Sequence, residues 1–431
     1  MSGWGSDSDG VTITQIDSRT RSFARRGALA CLLAAAGLGS AATAASGQVP
    51  TPCLPGAAPV ACDEPQPAPP APAPPAGQPG VDPRGVDPAA PNPLVGQAWY
   101  TDQVWGLPAR AARDYDKRGE SGKADLIRLI ADRPQFRWFG GWISKEKGGA
   151  TGSIRRYIER VQQEQPGAVA QIATMRHVGE RCAPGYQAGG PAEDARTRAW
   201  FDAVAEGIGD SRVVLAFEPD SLGTVHCLAK SRRSARIALL RYGVERFAAL
   251  PNATVYLEAG ASDWQPAWKI ARKLKQIGVD KVRGFMLNVT HYDWTANNIR
   301  YGREISRRVG GKHFVINTAQ NGRGAIHARR RVGKETKRIF VRCPLRRGLG
   351  PAPTTLTADP LVDAYLYIGR VGVSGGYCTG GPSKLGAWYP DRALMFAGYA
   401  TEWLQPPSGT RFGLQMRVPI RKLSGAEARF R

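Results

Sequence analysis

No stretch of this 431-residue chain reaches the roughly 18 consecutive apolar residues of a membrane-spanning helix, so an integral membrane protein is not expected. No CxxC or HxxxH spacing occurs, which argues against a zinc centre, and no metal or other cofactor is called for. Neither an internal repeat nor a second globular domain is evident. Acidic residues are sparse: 36 Asp and Glu stand against 59 Lys and Arg, a net charge of +23 that favours polyanionic surroundings. Hydrophobic residues at 42% and charged residues at 22% suffice for a large core and exclude wholesale disorder.

The first 45 residues read as an export signal. Arg19, Arg21, Arg25 and Arg26 precede a short apolar run from Gly27 to Gly37, then the small-residue stretch Ala41 to Ser46. The adjacent Arg25 and Arg26 leave a twin-arginine route open. A secreted, extracellular protein is therefore expected, in which disulfides are permissible. Setting aside Cys31 within the signal leaves Cys53, Cys62, Cys182, Cys227, Cys343 and Cys378. Pairing sequence neighbours is the simplest of the possible connectivities. Residues 46–93 hold Pro-Ala-Pro-Pro-Ala-Pro-Ala-Pro-Pro (67–75) and form an extended linker rather than a core. The working unit is then residues 94–431, expected to act as a monomer.

Within that unit, short and nearly continuous apolar runs alternate with amphipathic segments. Strands are predicted at 136–142, 168–175, 212–219, 253–260, 282–290, 313–319 and 363–369, and helices at 193–207, 230–250, 265–277 and 295–309. That alternation means parallel βα units. The fold class is α/β, either a seven-stranded parallel β/α barrel or a doubly wound sheet. In both, the C-terminal ends of the strands carry the site. Those ends hold Glu218-Pro219-Asp220, Glu258 with Asp263 and Trp264, Asn288 with His291, Tyr292, Asp293 and Trp294, and Asn317 with Gln320 and Asn321. Carboxylates, amides and indoles on one rim suit a polysaccharide cleft. Indole faces stack on sugar rings, amides bond hydroxyls, and two carboxyl groups divide acid and base work.

The ordered series of motifs goes further. It comprises Asn92-Pro-Leu, Phe136-Arg-Trp138, Val214-Leu-Ala-Phe-Glu-Pro-Asp-Ser-Leu222, Tyr256-Leu-Glu-Ala-Gly260 with Trp264, Asn288-Val-Thr-His-Tyr292, Phe314-Val-Ile-Asn-Thr-Ala-Gln-Asn-Gly322 and Asp363-Ala-Tyr-Leu-Tyr-Ile368. Over about residues 92 to 400 the chain resembles glycoside hydrolase family 6, secreted β-1,4-glucanases and cellobiohydrolases that act on cellulose with inversion in a distorted seven-stranded barrel. The resemblance implies that Asp220 is the general acid protonating the leaving glycosidic oxygen. Burial beside Glu218 would help it keep that proton, although a carboxylate here could instead cap the helix that follows. It implies that Trp138 and Trp264 stack on sugars, that Tyr292 lines the cleft, and that Asn288 and Asn321 hold loops or hydroxyls. It also implies disulfides at Cys182/Cys227 and Cys343/Cys378.

Departures from the family pattern are as informative. Where the family has Arg-Asp-Cys, this chain reads Glu180-Arg181-Cys182, and the family's tyrosine seven residues before that Cys is Met175. Its base belongs to a Gly-Glu-(Ser/Ala)-Asp-Gly block that is here Gly372-Val373-Ser374-Gly375-Gly376, without a carboxylate. The family's lysine upstream is Gly369, with Arg370 beside it, and its histidine near the tryptophan is Ala261. Glu180, Glu258 and Asp263 are the candidate substitute bases. Two readings follow: an atypical, endo-acting β-glucanase, or a glycan-binding protein that kept the cleft and lost the chemistry. Finally, 323–347 form a basic loop with Arg329-Arg330-Arg331, Lys337-Arg338 and Arg346-Arg347. It suits an anionic cell-envelope polymer or an acidic sugar. Aromatic interleaving, which single-stranded nucleic acid would need, is missing, so no specific nucleic-acid partner is expected.

Overall fold

The computed structural model describes residues 91–176, 189–325, 327–332, 335–340, 347–374 and 386–400, with the backbone alone over 327–332 and 336–340. The expected signal, nearly all of the linker, Glu180, Cys182, Cys343 and Cys378 lie outside the described residues. Cys227 is disulfide-bonded. No helix among the described residues is long and apolar enough to cross a membrane.

Two helices, α1 (Leu107–Lys117) and α2 (Ser121–Ala131), precede β1 (Arg137–Gly140). Strand and helix then alternate: α3 (Gly149–Glu164), β2 (Ala170–Met175), α4 (Pro191–Ile208), β3 (Val213–Phe217), α5 (Lys230–Ala248), β4 (Ala253–Glu258), α6 (Ala267–Ile277), β5 (Gly284–Leu287), α7 (Thr295–Arg308) and β6 (His313–Asn317). A hairpin of β7 (His327–Val332) and β8 (Glu335–Phe340) interrupts the alternation before β9 (Val362–Leu366) and α8 (Pro390–Gly398). The basic segment expected as a loop is thus a β-hairpin over much of its length. Its own antiparallel pairing satisfies the backbone of an insert that could not join a parallel sheet without a crossover.

The sheet has seven parallel strands in the order β1-β2-β3-β4-β5-β6-β9. This strictly sequential order settles the choice against a doubly wound sheet, whose strand order must reverse at a switch point. The first and last strands meet at one bridge, Gln135 with Tyr367, where Phe136 N–H donates to Tyr367 O at 3.0 Å. The indole Nε1 of Trp138 donates to Ile368 O at 2.6 Å and reinforces that closure. The result is a distorted barrel.

Strand alternation divides the core. Val213, Leu215 and Phe217 face the helices, while Val214 and Ala216 join Phe136, Ala173, Tyr256, Met286, Val315 and Ala364 inside the barrel. On α6, Ile270, Leu274 and Ile277 recur at helical spacing on the buried face, and the helix stops at Gly278, whose φ is +91°. All seven predicted sheet strands are present, each shorter than predicted. β3 ends at Phe217 because Glu218 and Asp220 take φ values of 54° and 69°, and β5 ends at Leu287 because Asn288 takes 68°. Left-handed backbone cannot continue a strand.

Candidate active site

These three residues are the non-glycine residues with positive φ among those described, and all follow strand C-termini. Such strained backbone persists only where surroundings fix it, and it clusters at functional sites. Glu218 is fully buried, and its carboxylate accepts the Arg176 N–H with both oxygens at 2.9 Å. The next turn brings Asp220 up to partial exposure, where Thr290 Oγ1 donates to its Oδ1 at 2.5 Å.

Asp220 does not cap the following turn with its side chain. The amides of Leu222 and Gly223 donate instead to Glu258 Oε2 at 2.8 and 3.2 Å, and Gly260 N–H donates to Oε1 at 2.7 Å. The helix-cap reading of Asp220 is thereby replaced: Glu258 takes the amides and leaves Asp220 available. This arrangement also corrects Glu258 as a substitute base. At 3% exposure and with both oxygens engaged by backbone, it supports the loop that carries Asp220 rather than facing water. Glu258 is a like-charge neighbour of Asp220. Burial first, then the charge of Asp220, pushes the Glu258 carboxyl up from 4.5 to about 7, against the pull of the amides.

A folded-state value above the unfolded one means that the native protein holds the extra proton between pH 4.5 and 7. The stability this group contributes is therefore complete below pH 4.5 and falls as pH rises to 7, by about 3 kcal/mol. Denaturation of Glu258→Gln across that range is expected to lose this slope, and an unaltered slope would disprove the assignment.

Trp264 is half-buried and stacks on His291, with ring centroids 4.8 Å apart and 17° between planes. Its indole lies on Gly223, where a Cβ would meet it at 2.2 Å, so a glycine is required beneath it. His291 Nδ1 lies 2.8 Å from Asp263 Oδ1, and the Asp263 side chain is 6% exposed. Asp263 is therefore committed to an imidazole and does not open toward the cleft. Trp138 is half-buried beneath Arg370, whose guanidinium lies 5.8 Å from the ring centroid.

The remaining expected residues are buried. Tyr292, at 1% exposure, lies under the Arg347 guanidinium, 4.0 Å from its ring centroid, which corrects its expected place on the cleft surface. Asn288 donates to Asp293 O and Asn317 O, and Asn321 donates to Asp293 O and Thr295 Oγ1. Of the two roles open to these asparagines, their burial fits loop-holding and not hydroxyl binding. The expected base segment is tied down too. Ser374 N–H donates to Ala387 O at 2.7 Å, and Tyr389 N–H donates to Gly372 O at 2.9 Å. Thr290 is a site residue that no sequence pattern marks, since its contact with Asp220 joins positions 70 residues apart.

Residues 94–403 match the sequence profile of glycosyl hydrolases family 6. The chain belongs to this family. Endoglucanase A of Cellulomonas fimi is 32% identical over 273 residues, 63% of this chain and 56% of that protein. This chain thus spans little more than half the length of that relative. Endoglucanase 1 of Streptomyces halstedii is 29% identical over 294 residues, covering 65% of this chain and 84% of its own. Among solved structures, the endoglucanase Cel6 of Mycobacterium tuberculosis, in complex with a thio-linked cellobioside, is 33% identical with a TM-score of 0.61. That match covers 72% of this chain and 99% of the other. The family's distorted α/β barrel is the fold described above.

Proposed function

We propose that the protein is an exported, endo-acting glucanase that cleaves β-1,4-glucosidic bonds in cellulose or a related β-glucan with inversion. The observation that carries this reading is Asp220: partly exposed at the end of β3, held through Thr290, and relieved of capping by Glu258. Trp138 stands on β1 and Trp264 beyond β4, so the acid lies between two indoles in strand order, as a glucan chain crossing the rim requires. Asp220 protonates the leaving glycosidic oxygen while water attacks the anomeric carbon from the opposite face of the sugar. With Glu258 and Asp263 committed elsewhere, Glu180, or a water relay to a more distant carboxylate, accepts the proton of that water. The relatives named as endoglucanases support the substrate class.

The mature domain is expected to release reducing sugar from soluble β-1,4-glucan, with the new end in the α-configuration by NMR. Glu180→Gln should lower the rate by about 10² to 10⁴. A β-configured product or an undiminished Glu180→Gln would reject the respective parts of this mechanism. The second reading, glycan binding without hydrolysis, draws on the Gly372 to Ser374 segment, whose side chains supply no base. It predicts binding without release of any sugar. The hairpin register sets Arg329 opposite Arg338 and Arg330 opposite Lys337. Like charges directly opposed are unfavourable, which supports an anionic polymer as a second contact.

A further inference from the structure

A cavity of about 290 Å³ opens beside Trp138, between the segment leading into α1, the edge of β1 and the chain after β9. Three indoles line it, those of Trp105, Trp138 and Trp388, together with the arginines Arg133, Arg137 and Arg370. Its volume is at the small end of ligand pockets and suits one pyranose ring. The charge balance is the unusual feature. Among the described residues Arg133, Arg137 and Arg370 make no ion pair, and the ring contacts of Arg137 and Arg370 are to Phe139, Tyr157 and Trp138. The carboxylate that lines the cavity, Asp102, is already committed. Its Oδ1 accepts the N–H groups of Trp105 and Gly106 at 2.8 Å, and its Oδ2 lies 3.5 Å from Arg160.

We propose that this cavity binds a carboxylate-bearing sugar, a hexuronic acid unit carried on the β-glucan that crosses the rim, so that uronate-bearing glucan is preferred over the neutral polymer. The inference rests on the reading of the rim as a glycan cleft and names its substrate class. A neutral sugar would use the guanidinium groups only as donors to its hydroxyls and would leave their three charges without a counter-charge. Guanidinium forks match the planar, two-oxygen geometry of a carboxylate, whereas indole faces take the apolar face of the ring. The excess of +23 on the chain acts in the same direction by drawing polyanions toward the surface. Single-stranded nucleic acid also pairs aromatic stacking with positive charge, but a cavity sized for a single ring beside Trp138 favours a glycan.

The test is a calorimetric titration of the full chain with cellotetraose, with a β-1,4-linked oligosaccharide of equal length bearing glucuronic acid, and with a short single-stranded oligonucleotide. The uronate ligand is expected to bind at least tenfold tighter than cellotetraose, since a charge-assisted hydrogen bond is typically worth about that factor. Arg133→Gln and Arg137→Gln should each lower the uronate-to-neutral affinity ratio by about fivefold to tenfold. Raising salt from 50 mM to 500 mM should weaken uronate binding alone, as charge screening requires. Equal affinities, an unchanged ratio in both variants, or tighter binding of the oligonucleotide would overturn the proposal. Hydrolysis of neutral glucan with no uronate preference would remove this inference and leave the glucanase reading standing. Uronate preference with no cleavage of neutral glucan would do the reverse.

Discussion

Asp220→Asn is expected to lower kcat on soluble β-1,4-glucan by about 10² to 10⁴, the range for removal of a general acid. The substitution is nearly isosteric, and the amide oxygen still accepts the Thr290 hydroxyl hydrogen bond, so loop geometry and KM should change little. What disappears is the proton for the leaving oxygen. A substrate whose leaving group departs as a stable anion needs no such proton and should therefore be cleaved with a much smaller loss. That contrast separates acid catalysis from simple misfolding, which would depress both substrates equally. Full activity in Asp220→Asn would end the assignment of this residue as the acid.

The largest expected effect on stability lies at the opposite end of the barrel interior. Asp363 is buried near the start of β9. It accepts two hydrogen bonds from Arg283, at 2.8 Å each, and one from the Tyr256 hydroxyl at 2.7 Å. His313 Nδ1 lies 3.0 Å away. Burial alone would raise this carboxyl, but the Arg283 hydrogen bonds and charge outweigh it and hold it below the usual carboxylate range. Asp363→Ala leaves the Arg283 charge in the core without its partner, which costs about 3 to 5 kcal/mol in comparable buried pairs. Urea denaturation followed by circular dichroism reads this directly, and a loss under about 1 kcal/mol would show the pair to be dispensable. Replacing Arg283 and Asp363 together by apolar residues of similar volume should restore much of the stability, because the pair's attraction is offset by its desolvation. The depressed carboxyl also sets a sign. Its contribution is complete above the unfolded carboxylate value of about 3.9 and disappears as pH falls through the lower folded value. Glu258 acts oppositely, losing stability as pH rises toward 7. The two slopes together place the most stable pH between them.

The catalytic rim was legible in the sequence because βα periodicity and the block from Val214 to Leu222 are local. Apolar runs bounded by helices fix parallel strands, and a parallel strand carries its chemistry at its C-terminal end. Seven strands followed from that alone, whereas the weight on Asp220 and on the indoles at 138 and 264 came from the resemblance to glycoside hydrolase family 6. The exact strand ends followed from neither. Phe217 and Leu287 end their strands because Glu218, Asp220 and Asn288 turn left-handed, a conformation imposed by tertiary contacts and not by residue type. The hairpin from 327 to 340 was hidden because its arginines give no alternation of apolar and polar residues. Glu258 as support for the acid loop, and Tyr292 beneath Arg347, depend on residues far apart in sequence, joined only when the strands align. The cavity beside Trp138 draws on three separate segments between residues 100 and 388. The sequence by itself determined the parallel βα units and the rim on which Asp220 stands. Which carboxylates face water and which face backbone amides was decided by tertiary packing, because exposure belongs to the assembled strands and not to any one segment.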